Sequence, residues 1–319
     1  MEVGGWKLIL ITLSTASDFP LPASNPLFIP FCAKFPVMDV SSKYMHLNCK
    51  GRLIDLLKPR VLGILNLTPD SFFDGGRYGD ESAVLHQTEK MLREGADFID
   101  LGAYSTRPKA TFVSEEEEIK RLLPVVSLLL KNFPDILLSV DTFRHRIAQK
   151  AVEAGVAIVN DISGGRFDAL MFETVANLKV PYIAMHLQGS PNNMHEAYDY
   201  AQIDIDILKD FSEKIQKLKS LGANDIIIDP GFGFSKNISQ NFELLNRLEQ
   251  FKILDLPILV GISRKSMIWK TLQTTPEAAL NGTTALNTIA LLKGAHILRV
   301  HDVKEAKECI ELVGAMSGD

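Results

Sequence analysis

VLGILNLTPDSFFDGGRYG, residues 61 to 79, sets two kinds of sequence side by side. Val61 to Leu65 is an apolar run with the length of one buried strand, and it stops at Asn66, where turn chemistry takes over. Thr68, Pro69, Asp70, Ser71 and the pair Gly75-Gly76 then predict a long loop that holds two aromatics, Phe72 and Phe73, among residues that prefer water. Such a loop behind a buried strand reads either as a lid over a site or as a plain strand-to-helix connection with its phenylalanines tucked beneath.

Moving outward from this stretch, the same alternation repeats to the end of the chain. Strand-like runs fall at 61–66, 98–103, 137–142, 158–162, 181–186, 226–230, 257–262 and 297–301, which makes eight. Helical spacing fills the intervals. Ile119, Leu122, Leu123, Val126, Leu130 and Phe133 share one face, and Ser114 with Glu117 predicts a capping box at its start. Glu115 to Glu118 then reads as a helix N-terminus favoured by the macrodipole. Further helices are expected over about 204–221, 240–251 and 283–293, with Gly95, Gly155, Gly222 and Gly294 as left-handed caps. Eight β/α units of this length imply an α/β protein, a single (β/α)8 TIM barrel with its chemistry at the carboxyl ends of the strands. A doubly wound open sheet is the alternative.

Composition narrows the function. The chain has 319 residues, 46% of them hydrophobic, enough for a large core, and a formal net charge of -5 that argues against a nucleic-acid-coating surface. Cys32, Cys49 and Cys309 are odd in number, far apart and without metal-ligand spacing, which fits a reducing, cytoplasmic setting. No apolar run approaches membrane-spanning length. Residues 1–44 differ from the rest. Trp6 to Leu13 is apolar enough for a short secretory core with Ser14-Thr15-Ala16 as a cleavage zone, but Pro20, Pro22, Pro26, Pro30 and Pro36 punctuate the residues after it. The expectation is an N-terminal extension outside the folded domain, with Met45 a plausible true start and 45–319 the barrel.

Polar residues cluster where the strands end: Asn66, Ser105 to Arg107, Asp141, Asn160, His186, Asp229, Ser263 to Lys265, Arg299 and His301. Each alone suits a hydrogen-bonded structural group, but a closed barrel would gather all of them around one axis. Arg107, Lys265, Arg299 and Lys236 against a negative total charge imply an anionic ligand, a phosphate or carboxylate. Asp141, Asn160 and Asp229 suit the edge of a flat heterocycle, since a carboxylate accepts from a ring N–H and an exocyclic amine together. Asp141 also reads as a cap for a helix starting near Arg144, and His186 and His301 as core histidines. No spacing supports a zinc site.

The motifs together resemble a known family. NLTPDSFFDGG at 66–76, GAYSTRP at 102–108, SVDT at 139–142, VNDISGG at 159–165, MHLQGSP at 185–191, DPGFGF at 229–234, GISRKSM at 261–267 and RVHDV at 299–303 look like dihydropteroate synthase, in that family's order and over essentially 45–319. The resemblance implies a folate-pathway transferase that joins 6-hydroxymethyl-7,8-dihydropterin diphosphate to 4-aminobenzoate, giving dihydropteroate and diphosphate. It implies Mg2+ at Asn66, and a pterin held by Asp141, Asn160, Asp229 and Lys265. Arg299 and His301 match the diphosphate contacts, and Phe234, Pro108 and Ser266 the surroundings of the aminobenzoate. Thr106 and Arg107 belong to the family's second mobile loop and Asp70 to its first, with Asp70, Arg107 and Lys265 the expected catalytic set. A homodimer and a sulfonamide target are implied by the same likeness, whereas the expectation of no nucleic-acid or membrane partner comes from the charge and the apolar run lengths.

Two positions depart from the pattern. Lys109 stands where glycine is common, and Trp269 comes after SRKSMI where a small residue is common. Neither is a pterin contact. A corrinoid-type methyltransferase domain would share the barrel without needing both the NLTPDSFFDGG and STRP loops. A non-catalytic relative would have lost Asn66, Asp70, Arg107 or Arg299, all present here.

Overall fold

The computed structural model describes residues 45–67, 77–104, 113–191 and 193–317, within a unit that spans Ser42–Asp319. The expectations for 1–44, and those for Asp70, Thr106, Arg107, Pro108 and Lys109, lie outside the described residues.

Two short strands come first, β1 His46–Cys49 and β2 Arg52–Asp55. Eight strongly apolar segments then form one parallel sheet: β3 Arg60–Asn66, β4 Phe98–Gly102, β5 Leu138–Asp141, β6 Ile158–Asp161, β7 Tyr182–Met185, β8 Ile226–Asp229, β9 Leu259–Val260 and β10 Ile297–Val300. The order is β8-β7-β6-β5-β4-β3-β10-β9, and the open seam closes where Ile228 bridges Ile258, with Ile228 N donating to Pro257 O at 3.0 Å. The barrel expectation holds, and the open sheet falls. β9 is shorter than the six-residue run suggests. Pro257 has no N–H for the ladder, and beyond Val260 the chain turns through Arg264, at φ 56.

Helices alternate with the strands: α1 Arg77–Arg93, α2 Glu115–Asn132, α3 His145–Glu153, α4 Met171–Leu178, α5 Ile203–Ser220, α6 Ile238–Asn246, α7 Ser266–Thr271, α8 Leu280–Leu292 and α9 Val303–Ser317, with a 3-10 segment at Leu248–Leu254. Their apolar faces pack on the outward side chains of the strands in one continuous core that includes Leu65, Leu101, Val126, Phe211 and Val300. The chain leaves α1, α3, α5 and α8 through Gly95, Gly155, Gly222 and Gly294, all left-handed at φ 100, 109, 89 and 98.

A feature with no run or period to announce it closes the opposite end. β1 and β2 make an antiparallel hairpin around Lys50 and Gly51, at φ 57 and 82. Leu47 and Cys49 point inward and pack with Leu62, Phe98, Ile158, Ile183, Ile227, Leu259 and Ile297, which come from the amino-terminal halves of the strands. The hairpin therefore stoppers the lower mouth and leaves the carboxyl-end mouth for chemistry.

At the start of α2 the structure corrects the capping reading. Ser114 Oγ accepts from Glu117 N at 3.2 Å, but the Glu117 carboxylate turns to Arg121 Nε at 2.8 Å, so the box is half made. Glu118 is more than a dipole charge. It lies in phase with buried Leu122, Val125 and Leu129, and it accepts from Thr142 Oγ1 at 2.9 Å and Arg144 Nη1 at 2.5 Å. Burial pushes its carboxyl up, against the pull of Thr142 and Arg144. Glu118→Ala should destabilise the fold by roughly 2 to 3 kcal/mol in urea denaturation, because it takes a buried carboxylate from Thr142 and the part-buried Arg144 guanidinium. Glu117→Ala, at the solvent side, should cost clearly less.

Candidate functional site

Parallel register sets one rank of positions around the upper mouth. Asn66 pairs with Gly102, Gly102 with Asp141, and Asp141 with Asn160, so four neighbouring strands end at one level. Gly102 keeps the middle of that rank open, since a Cβ there would stand 3.4 Å from Asn66 Oδ1 and 3.9 Å from Asp141 Oδ2. Above lies a cavity of about 600 Å³, lined on this side by Ile64, Asn66, Asp141 and Arg299. Phe234, Lys265, Ser266 and Trp269 are among the residues on the other.

Two residues lower on β4, on the same face as Gly102, sits a residue the sequence reading missed. Asp100, inside FIDLG of β4, is fully buried, and its Oδ2 accepts from Asn160 Nδ2 at 2.9 Å and from Arg299 Nε at 2.6 Å. Arg299 Nη2 reaches Asp141 Oδ2 at 2.7 Å. One guanidinium thus bridges two carboxylates across the barrel axis, while its Nη1 makes no hydrogen bond among the described residues. Burial acts first on the Asp141 carboxyl and lifts it to about 7; Arg299 opposes this and the charge of Asp100 adds to it. The two carboxylates hold Arg299 charged well above its usual range in spite of burial. The missed signal was present in the letters: a carboxylate in the middle of a strand buried at every position needs a partner.

Asp229, at the end of β8, is buried, and its Oδ1 accepts from Gly231 N at 2.8 Å. Burial pushes this carboxyl up against Lys265. Lys265 stands at the N-cap of α7 and donates its Nζ to Phe232 O, while that nitrogen stands 4.8 Å from the centre of the Phe234 ring. Burial brings its ammonium down to about 8, against the attraction of Asp229. His195 stacks on the same ring, with centroids 5.3 Å apart and planes 26° from parallel. His301 lies beside Ser263, Nδ1 to Oγ 3.1 Å.

Several readings change. Asp141 does not cap α3; Asp168 Oδ2 does, accepting from His145 N at 2.8 Å. Lys236 is not an anion-seeking rim cation. It is buried, and its Nζ contacts Gly231 O at 3.0 Å, Phe234 O at 3.1 Å and His186 Nδ1 at 3.2 Å. Of the two histidine readings, His186 is the core one, and burial keeps its imidazole neutral. Asn160 and Asp229 form the floor next to the cavity, joined to its lining through Asp100 and Gly231. Asp161 faces away and spends its carboxylate on Tyr182 Oη at 2.7 Å and on the turn at Ser163 and Gly165. Arg264 is a clamp, bidentate to Asp302 at 2.9 and 2.7 Å, and it also holds the carbonyl of Glu277 at 2.9 Å. Trp269, the departure noted in the sequence, lines the cavity wall with Lys270 over its indole at 5.4 Å.

Comparison with known proteins agrees with this geometry. Residues 62–301 match the model of the pterin binding enzyme family. The dihydropteroate synthase of Escherichia coli (strain K12) is 41% identical over 273 residues, which covers 85% of this chain and 96% of that protein. Among solved structures, the Xanthomonas albilineans dihydropteroate synthase with 4-aminobenzoic acid superposes with a TM-score of 0.80 at 36% identity, covering 86% of this chain and 99% of that one. The Yersinia pestis dihydropteroate synthase in a sulfonamide drug complex gives 0.80 at 41%, covering 86% and 100%. The chain belongs to the pterin-binding enzymes and, within them, to the dihydropteroate synthase family of folate biosynthesis.

Asp100→Asn offers a direct reading of the carboxylate pair. Removing the neighbouring negative charge should lower the Asp141 midpoint from about 7, since Asp100 raises it and Arg299 would then answer to Asp141 alone. Carboxyl carbon-13 NMR across pH 4 to 9 checks this, and an unmoved midpoint would show that burial alone sets the value.

Proposed function

We propose that this mouth condenses 6-hydroxymethyl-7,8-dihydropterin diphosphate with 4-aminobenzoate, giving 7,8-dihydropteroate and diphosphate. The observation that carries the reading is the Asp100–Arg299–Asp141 bridge at the floor of a cavity that Phe234 and Lys265 also line. A polar, carboxylate-rich floor suits the donors of a pterin edge. An aromatic and cationic wall suits a benzoate. The two lie within one cavity, as a transfer between them requires.

In this reading Asp141, Asn160 and Asp229 take the pterin, and Lys265 stands between the two substrates. Arg299 uses its remaining Nη1, with His301, toward the diphosphate. Phe234 and Ser266 flank the aminobenzoate, joined by Pro108. The bond from the pterin methylene to the diphosphate oxygen breaks, the electron pair leaves with the diphosphate, and the ring stabilises the cation left behind. The arylamine nitrogen then forms the new bond and loses a proton. Because that amine is weakly basic and uncharged at neutral pH, no strong base is needed. The chain's own task is to favour charge on the departing group and to keep water from the cation. Asp70, Thr106 and Arg107 are assigned to closing the site from the two loops.

The donor set fits a magnesium ion held chiefly by its substrate. Asn66 Oδ1 offers one hard oxygen at the cavity edge, and among the described residues no group of three or more His, Cys, Asp or Glu side chains could hold a metal. When bound there, Mg2+ would neutralise charge on the diphosphate. Buried free thiols at Cys49 and Cys309 support a reducing cytoplasm, and exposed Leu292, Leu312 and Met316 on α8 and α9 support pairing of two chains. Among the described residues no helix is long and apolar enough to cross a membrane. Sulfonamides would compete at the Phe234, Ser266 and Trp269 wall.

Purified protein should release diphosphate in a magnesium-dependent assay and form dihydropteroate only when 4-aminobenzoate is present. Release that ignores the arylamine would point to a hydrolase instead. Asp229→Ala should weaken pterin binding in calorimetry by roughly 2 to 4 kcal/mol, as expected when charged, buried hydrogen bonds lose their acceptor. Pterin affinity of the unaltered protein should also fall as pH drops from 8 to 6. The Asp141 carboxyl, lifted to about 7, takes up a proton in that window and loses an acceptor.

A further inference from the structure

The turn that carries Phe234 is held from behind by a buried lysine. Gly231 to Lys236 leaves β8 through Gly231 and Gly233, at φ 75 and 79, with Ser235 at φ 46. A Cβ on Gly231 would lie 2.0 Å from His186 O, so the turn is pressed against the end of β7. Lys236 folds back under it. An ammonium has three N–H donors, and three acceptors surround this one: the carbonyls of Gly231 and Phe234 and the Nδ1 of His186, at 3.0, 3.1 and 3.2 Å. The other imidazole nitrogen, Nε2, is buried and has no hydrogen-bond partner among the described residues. On its front side the same turn offers Phe232 O to Lys265 and the Phe234 ring to the cavity.

We propose that Lys236 is a positioning residue for the arylamine substrate: its side-chain nitrogen ties both ends of the Gly231–Phe234 turn to His186 and so sets where the Phe234 ring meets Lys265. This rests on the synthase reading of the cavity. Lys236 does not line the cavity and acts through the turn that carries Phe234, so its effect should fall chiefly on the substrate that meets that ring. It should also depend on pH. Burial brings Lys236 down to about 7, with Asp229 and Asp210 holding the proton on and Lys265 and Lys214 pushing it off. Tyr200 adds its ring face at 5.8 Å. The neutral amine can still reach both carbonyls but without the charge that strengthens those hydrogen bonds, so above neutrality the turn loosens.

Steady-state kinetics of the full chain with magnesium and both substrates, on wild type, K236M and H186N from pH 6 to 8, test this. K236M should raise KM for 4-aminobenzoate about tenfold, with KM for the pterin diphosphate within about twofold and kcat within about threefold of wild type. Wild-type KM for 4-aminobenzoate should climb with pH. Lys265, brought down to about 8, faces the same ring, so the component belonging to Lys236 is the one that K236M abolishes. H186N, which keeps an oxygen acceptor near the place of Nδ1, should show a smaller rise than K236M. Equal rises for both substrates, or a K236M pH profile that overlays the wild type, overturn the proposal. Where K236M fails to fold by thermal melting, K236Q replaces it under the same criteria. A wild type that makes no dihydropteroate sinks the synthase reading instead, and the two failures are thereby distinct.

Discussion

A guanidinium shared by one buried carboxylate and one at the cavity edge sets the terms for the upper half of this barrel. Three charges taken out of water at the Asp100–Arg299–Asp141 bridge cost more in desolvation than an apolar filling of the same space. Their mutual attraction returns part of that cost only while the geometry is held, and the geometry comes from strand register. Asp100, Asp141 and Arg299 stand on strands whose pairing cannot slip by one residue without turning each side chain to the outer face. An arrangement that is costly in stability and rigid in placement suits a binding floor. The carboxylates are already oriented when a ligand with N–H groups arrives, so little ordering remains to be done at that moment.

The two ends of the barrel solve opposite problems. At the lower end, the β1–β2 hairpin inserts Leu47 and Cys49 among the first residues of the strands and removes the opening. At the upper end the same strands bring Asn66, Gly102, Asp141, Asn160 and Asp229 to or next to their last positions, and these cannot be covered by apolar chain without leaving polar groups unpaired. Polarity along each strand, apolar first and hydrogen-bonding last, therefore decides which mouth stays open.

Much of this was legible from residues alone, for a physical reason that also explains the gaps. Parallel strands buried on both faces appear as continuous apolar runs, so all eight barrel strands could be placed, as could the glycines that end four of the helices. The hairpin could not, because its two strands have four residues each, with only Leu47 and Cys49 directed inward in the first, and no periodicity survives at that length. Asp100 was hidden by its neighbours in FIDLG, although its lone charge was the clue. Glu118 was hidden by its company, four glutamates in a row, although its phase with Leu122 and Val125 set it apart. Asp161 shows the converse. It stands beside Asn160 in the same motif, yet alternation along β6 sends it outward to Tyr182 and the adjoining turn, so adjacency in the letters says little about shared duty.

Two lysines reach the Phe234 turn from opposite sides. Lys265 donates to Phe232 O on the cavity side, and Lys236 donates to Gly231 O and Phe234 O from within. Lys265 lowers the proton affinity of Lys236, and Asp229 raises that of both. A backbone turn held between two desolvated ammonium groups has its carbonyls engaged and is stiff for that reason. The charge that holds it is nonetheless close to titrating under ordinary conditions, since burial has removed most of the margin a lysine has in water. The aromatic wall of the cavity is thus positioned by electrostatics as well as by its packing with Ile162, Met185, Leu187 and Met194. Its placement is coupled through Asp229 to the floor on the other side of the cavity.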